Sequence, residues 1–554
     1  MIGDSRFHVA LFLAALVVYA SGSFWGLPSG KAVVGGLVIL DGGAPYRDFW
    51  TMYAPGQFYA VAALFWLFGR ELLVQAIAVA AIRAASSVLF FVLLRRIGAP
   101  RYAALCLSAV FVLMFWETGP ELTDYPPALL FILLALDQVV QYFSGSGINH
   151  LRWAGLWLGL ASWFKHDVAA YVALGMASSV LLSWLIVPKR SRAGWVLPAR
   201  ATLTLAACAI AASTPLVVWT AWSAGASAWN DLVVFPATVF SKVRGNQFPP
   251  LIPAAAPFTS WLSDPGNVML AHSAAEYLSI WIVLNAPLLA FLVGVFVVLV
   301  ARRRLDQAGL SQLWLFLACM PWFWLAAHVQ HNTHPYSLGI LSAGVGIVIW
   351  ARSDSLTIPT RLVRIPIVLA VSIYAGGLMA AAAMDGARVY YEWSGSRMLD
   401  LPGFRGVRLP ARLYEAFQPI GRFFRDQTRE GEPVYTGLVR HDSIVINNTL
   451  LYAIVGRPPC CRYTELHPGV GDRAVVHQEI IRSLEDRRVR AIVLWEFEWP
   501  EKDMAARKAG ARTAVADAGS PLLDRYIAQH FRRVESHWGH HVLWRRDEPF
   551  PNEP

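Results

Sequence analysis

The chain has 554 residues, of which 56% are hydrophobic and only 15% charged, with a formal charge of +10. Soluble domains carry roughly 25% charged residues, so this composition excludes an ordinary soluble enzyme and requires lipid as solvent. The basic excess reads as cytoplasmic arginines that set topology, not as a nucleic-acid surface, because no basic stretch is interleaved with aromatic residues.

In chain order, an apolar run from about residue 8 to 25 follows the single positive charge Arg6. It reads as a first span or as a signal peptide cut near Ala20, and either puts the next segment outside. Tyr53–Phe68 is apolar but short and opens Tyr53-Ala-Pro-Gly56, so it is expected to lie flat on the outer surface. Further runs at 72–94, 102–116, 126–143, 152–164, 168–187, 200–222, 276–300, 312–328, 335–350 and 365–384 bring the expectation to about eleven spans. With that arrangement Arg95/Arg96/Arg101, Lys189/Arg190/Arg192/Arg200, Arg302/Arg303/Arg304 and Arg352/Arg361/Arg364 all face the cytoplasm. The outer face then receives loops 26–71, 117–125, 223–275 and 328–335, and everything after about residue 390. The tail alternates short strands (Pro433–Tyr435, Ala491–Trp495, His541–Trp544) with amphipathic helices (His477–Glu485, Pro521–Phe531), which predicts a small α/β layer. The division is a membrane domain over 1–387 and an outer α/β domain over 388–554. Cys106, Cys208 and Cys319 sit in apolar runs as small hydrophobes, and Cys460/Cys461 have no second pair at metal-ligand spacing.

Ionisable groups beside lipid are costly, and those present are candidates for function. Asp41-Gly-Gly-Ala-Pro-Tyr-Arg-Asp48 in the first outer loop offers a carboxylate that a partly desolvated site turns into a general base; the bland alternative is that Asp48 pairs with Arg47 or caps a helix. Glu117, Glu121 and Asp124 invite a cation, either a divalent metal or a positive side chain from another loop. Lys165-His-Asp suits a lipid-linked phosphate, or is a lysine that snorkels to the headgroups. His328, Gln330, His331, Asn332 and His334 are candidate contacts to metal, phosphate or sugar, or polar loop filler. Arg83, inside the second span, needs an internal partner, with phosphate binding as the less bland role.

The layout resembles the GT-C superfamily of membrane glycosyltransferases, in particular the branch of protein mannosyltransferases and aminoarabinose transferases. The resemblance rests on Gly43-Ala-Pro-Tyr-Arg-Asp48-Phe, Tyr53-Ala-Pro-Gly56, Leu64-Phe-Trp-Leu-Phe-Gly69, Arg83, Gly159-Leu-Ala-Ser-Trp-Phe-Lys165 and the α/β tail. It implies a polytopic inner-membrane enzyme that moves a sugar from a polyprenyl-phosphate donor to a periplasmic glycan, lipid or protein, with inversion. It further implies Asp48 as base, with Asp41 as its substitute and Asp124 in support. Lys165 would bind the donor phosphate, and Tyr46, Arg47, Arg83, His331 and His334 would contact substrate. Glu121 and Asp124 are the metal ligands if a divalent cation takes part. Members with an Asp-Glu pair early in the first loop differ from this chain, which reads Leu27-Pro-Ser-Gly-Lys31 there. The alternatives are a lipid-linked saccharide transporter, for which no matching broken-helix halves are visible, and a non-catalytic assembly subunit.

Overall fold

The computed structural model describes residues 2–23, 27–116, 120–145, 147–186, 196–240, 255–264, 274, 288, 290–299, 305–330, 335–352, 365, 395–442, 446–496 and 518–550. The expected runs at 276–300 and 365–384 therefore fall mostly outside the described residues, as do His331 and His334.

The apolar runs become helices: α1 Ile2–Ser23, α4 Leu72–Arg96, α5 Arg101–Trp116, α6 Tyr125–Phe143, α7 Asn149–Ser162, α8 His166–Ile186 and α9 Pro198–Ala224. Farther along come α10 Gln307–Gln330 and α11 Pro335–Ala351. Among the described residues four helices are long and apolar enough to cross a membrane: Leu72–Arg96, Tyr125–Phe143, His166–Leu185 and Pro198–Ala224. Shorter apolar stretches, Ser5–Ser21, Arg101–Leu113 and Ile340–Ala351, stand at three more of the expected runs. Between the first span and α4 lie two short helices, α2 Lys31–Leu40 and α3 Gly56–Phe68. The sequence reading anticipated α3 but not α2. At about 1.5 Å per residue α3 is too short for a bilayer core, and Trp66, Leu67 and Phe68 leave its end exposed.

Close approaches between helices occur where side chains are missing. Gly155 and Gly159 of α7, four residues apart, let α9 come so near that an added Cβ would meet the carbonyl oxygens of Leu205 and Ala209 at 2.4 Å. Small residues at this spacing are a common device for helix contact in lipid. Gly175 of α8 lies in the same way against Cys319 of α10.

The C-terminal part carries a four-stranded sheet, β3 Tyr435–Leu438, β4 Ala491–Trp495, β5 Phe531–His537 and β6 His540–Arg545, in the order β3-β4-β6-β5. A two-stranded pair, β1 Arg397–Met398 and β2 Arg408–Leu409, precedes it. β3 and β4 run parallel; the remaining neighbours are antiparallel. β4 matches its expected span, whereas β3 starts two residues later than expected and β5 was not anticipated, because its mixed burial obscures the alternation. The helices flanking the sheet are α12 Ala411–Gln427, α13 Leu451–Val455, α14 Ala474–Asp486 and α15 Leu522–His530.

This sheet does not stand on a separate core. Ala32, Val33 and Val34 of α2, Val61 and Phe65 of α3 and Leu72 of α4 share one buried cluster with Leu401, Phe424, Leu450, Val493 and Trp544. Gly30, at φ +88°, lies so close to Leu450 that a Cβ would strike its backbone. A second cluster joins Trp50, Met52 and Phe235 to Tyr435, Cys460 and Leu494. The outer loops and the sheet are thus packed on each other through apolar side chains.

Candidate active site

Asp41-Gly42-Gly43 ends α2, and the chain then closes a tight turn on Asp48. The Asp48 carboxylate accepts from the Ala44 amide at 2.7 Å and pairs with Arg47 at 2.7 Å, both through Oδ2. Its side chain is 39% exposed. Asp41 pairs with Arg70 at 2.8 Å. Tyr46 holds φ at +65°, a strained state for a non-glycine residue that costs about 1–3 kcal/mol. It is fully buried and donates its hydroxyl to the Tyr53 carbonyl at 2.7 Å. Tyr46 thus braces Tyr53.

Asp41, Arg47, Asp48 and Arg70 face a cavity of about 930 Å³ whose far wall is Arg457, Arg462, Glu479 and Arg487. Arg83 lies elsewhere: it is buried within α4 beside Tyr19 of α1 and lines none of the cavities described here.

A second cluster forms where α2, α6 and α8 begin. Lys165, in the corner between α7 and α8, pairs with Asp124 at 3.0 Å and lies 3.9 Å from Asp167. Gly56 sets this corner against the first loop: its amide donates to the Trp163 carbonyl at 2.8 Å, and a Cβ would collide with that oxygen. Lys31, the first residue of α2, places its ammonium 3.6 Å from the centre of the Tyr53 ring, a cation–π contact. Glu121 accepts from the Ser29 amide at 3.0 Å, from the Ser29 hydroxyl and from the Ala32 amide at 2.9 Å. It caps α2 from another loop and so fixes Lys31 in place.

Burial pushes the Asp124 carboxyl up, but Lys165 and then Lys31 outweigh it and hold it below the ordinary range. Burial works against the charge on Lys165, and Asp124 followed by Asp167 more than restores it. Lys31 is likewise raised: burial opposes its charge, and Tyr53, Asp124, Glu465 and Glu121 overcome that. Both lysines are cations balanced by the carboxylates of Asp124, Asp167, Glu121 and Glu465, and the helix N-termini of α2, α6 and α8 add positive ends of three peptide dipoles to the same place.

Asp124, Lys165, His166, Asp167, Tyr53 and Phe240 line a small cavity of about 80 Å³. It shares Ala54 and His166 with a groove of about 230 Å³ whose other walls include Trp163, Leu216, Val217, Trp229 and Leu232. A niche holding the Lys165–Asp124 pair thus opens onto an apolar groove.

A divalent cation at Glu121 and Asp124 fits poorly. Both Glu121 oxygens already accept hydrogen bonds that hold α2, and Asp124 is committed to Lys165. Among the described residues no three His, Cys, Asp or Glu side chains come together at ligand spacing. The acidic loop draws instead the positive side chain that was its other expected partner.

Three members of the site were not singled out from sequence. Lys31 was noted only for the acids missing around it. Glu465 and His467 arrive from the C-terminal part, paired at 2.8 Å and 5% and 1% exposed. Burial raises the Glu465 carboxyl, and His467 and then Lys31 reverse that, holding it below the ordinary range. The irregular segment that brings them is tied down by the Trp50 amide on the Arg462 carbonyl, 2.7 Å, and by Arg462 on Asp231, 2.5 Å. The local signal was only Glu-Leu-His in a stretch without periodicity.

The fold is similar to that of ArnT. The chain is similar over 97% of its length, and of the other chain's, to the crystal structure of ArnT from Cupriavidus metallidurans bound to undecaprenyl phosphate, with a TM-score of 0.50 and 13% identity. The apo form of that protein matches over 98% of both chains, with a TM-score of 0.52 and 13% identity. No protein-family model matches the sequence, and no curated protein does.

Proposed function

We propose that this protein is an inner-membrane glycosyltransferase that takes a sugar from a polyprenyl-phosphate donor and passes it to an acceptor on the periplasmic face. The observation that carries the reading is Lys165, its side chain 16% exposed, in a niche that opens onto an apolar groove, with Lys31 on the Tyr53 ring beside it. The donor's phosphodiester takes the place of Asp124 on Lys165, and an isoprenoid chain suits the groove walls of Trp163, Leu216 and Val217. That the ArnT structure holds undecaprenyl phosphate agrees with such a ligand.

In this reading the acceptor enters the larger cavity, where five arginine side chains (Arg47, Arg70, Arg457, Arg462 and Arg487) suit an acidic or phosphorylated glycan or lipid. Asp48 is the base. It is the half-exposed carboxylate facing that space, whereas Asp124 is held too acidic by the lysines to take a proton well. The acceptor oxygen attacks the anomeric carbon and Asp48 takes its proton. The bond to the donor phosphate breaks with its electron pair, inverting the centre, and Lys31 and Lys165 neutralise the leaving phosphate. Asp41, paired to Arg70, is the substitute base.

The test is sugar transfer by purified protein with Asp48→Asn. The substitution keeps size and hydrogen bonding, so transfer should fall about 10²–10⁴-fold while the thermal midpoint and lipid binding stay. Normal turnover in Asp48→Asn with loss in Asp41→Asn would move the base to Asp41.

A further inference from the structure

His467 is 1% exposed, and its two ring nitrogens have different surroundings. Nε2 meets Glu465 Oε1 at 2.8 Å, while Nδ1 is buried with no hydrogen-bond partner among the described residues. A buried polar nitrogen left unpaired is costly, and the Phe240 ring beside this one also lines the niche of Lys165.

The neighbourhood narrows what Nδ1 meets. The Trp50 and Phe240 rings lie 5.6 and 5.8 Å from the imidazole. Phe240 also lines the niche with Asp124 and Lys165, and the charge of Glu465 acts on Lys31. A group that meets His467 therefore lies close to the niche in which the proposed donor phosphate sits. It has a polar group to hydrogen-bond Nδ1 and apolar faces for aromatic walls. A sugar ring has all three properties.

We propose that His467, oriented by Glu465 and walled by Trp50 and Phe240, hydrogen-bonds a hydroxyl of the sugar carried on the lipid phosphate, so that the C-terminal part of the chain selects the donor sugar. This rests on the lipid-phosphate donor reading above and gives the C-terminal part a role toward the donor beside the acceptor cavity that it helps to wall. A site built around one buried hydrogen bond discriminates strongly against an analogue that lacks the hydroxyl.

The full-length protein in detergent, wild type and His467→Gln, is titrated with bare undecaprenyl phosphate and with a panel of undecaprenyl-phosphate hexoses, pentoses and their monodeoxy forms. The wild type should bind one sugar-loaded lipid at least about tenfold tighter than the bare lipid, and lose that gain when one hydroxyl is removed. His467→Gln should bind the bare lipid as the wild type does and no longer distinguish the deoxy form. Phe240→Leu, which leaves the Glu465–His467 pair intact, should weaken the sugar-dependent gain in the same way if the His467 variant does not fold. A wild type that binds the bare lipid but gains nothing from any sugar overturns the inference, as does equal loss of bare and loaded lipid in the variants. Failure of the wild type to bind bare lipid phosphate at all overturns the donor reading beneath it.

Discussion

Lys165 and Asp124 lie 3.0 Å apart with side chains 16% and 12% exposed. Breaking a buried pair from one side leaves the other charge uncompensated, at about 3–5 kcal/mol, whereas removing both is far milder. Lys165→Ala and Asp124→Ala should each lower the thermal midpoint, and the double variant should recover much of the loss. Additive losses would show that the two charges do not depend on each other. Neither effect concerns Asp48, whose partners are an exposed arginine and a turn amide; exposed pairs of this kind contribute little to stability. The three carboxylates of the expected site thus divide by environment: Glu121 builds, Asp124 balances charge and Asp48 faces the solvent-filled space. That division was not legible in the sequence, where all three were acids in outer loops. Burial of Glu121 and Asp124 depends on α2, a helix whose cap comes from a residue 89 positions away.

At the scale of elements, the apolar helices were legible because lipid imposes long apolar runs. The short helix α3 was legible from its apolar run. What orders the site is less visible: the Gly155/Gly159 face of α7 packs on α9, and Trp163 and Ser162 at its end bond Ala212 and Ser213 of α9. Lys165 follows directly. Gly159→Leu, which must push α9 away, should lower the thermal midpoint and weaken lipid-phosphate binding together. A variant that melts normally and binds normally would mean the close approach is dispensable for positioning Lys165. Periodicity found α14 and α15 near their true limits. It gave no warning of the segment holding Glu465 and His467, which has neither helical nor strand period and owes its position to contacts with Trp50 and Asp231.

At the scale of the molecule, the expected boundary near residue 388 separates two stretches of sequence whose outer cores are continuous. α2, α3 and the sheet bury side chains in common, so the C-terminal part is packed on residues 32–72 and on Phe235. The Arg462–Asp231 bond at this contact is sensitive to pH. Burial lifts the Asp231 carboxyl to about 6 despite the pull of Arg462. A carboxyl raised on folding contributes stability that is full below its unfolded pKa, near 4, and is lost as pH rises through about 6. Asp231→Asn should therefore flatten the decline in stability between pH 4 and 6 relative to the wild type. An unchanged profile would place the titration on other groups. Asp124 and Glu465 work with the opposite sign: their depressed carboxyls contribute above the ordinary carboxylate pKa, and that contribution is lost only as pH falls below about 4.

The central claim is that Lys31 and Lys165 together hold the phosphate of a lipid-linked sugar. The most direct measurement is the binding of undecaprenyl phosphate to the purified full-length chain, compared with Lys31→Gln, Lys165→Gln and the pair. The account predicts saturable binding to the wild type, a loss of about tenfold or more for each lysine, and no measurable binding to the double variant while the protein stays folded. Equal affinity in the wild type and in a folded double variant would contradict it, and the anion-binding niche would then be a purely structural charge cluster.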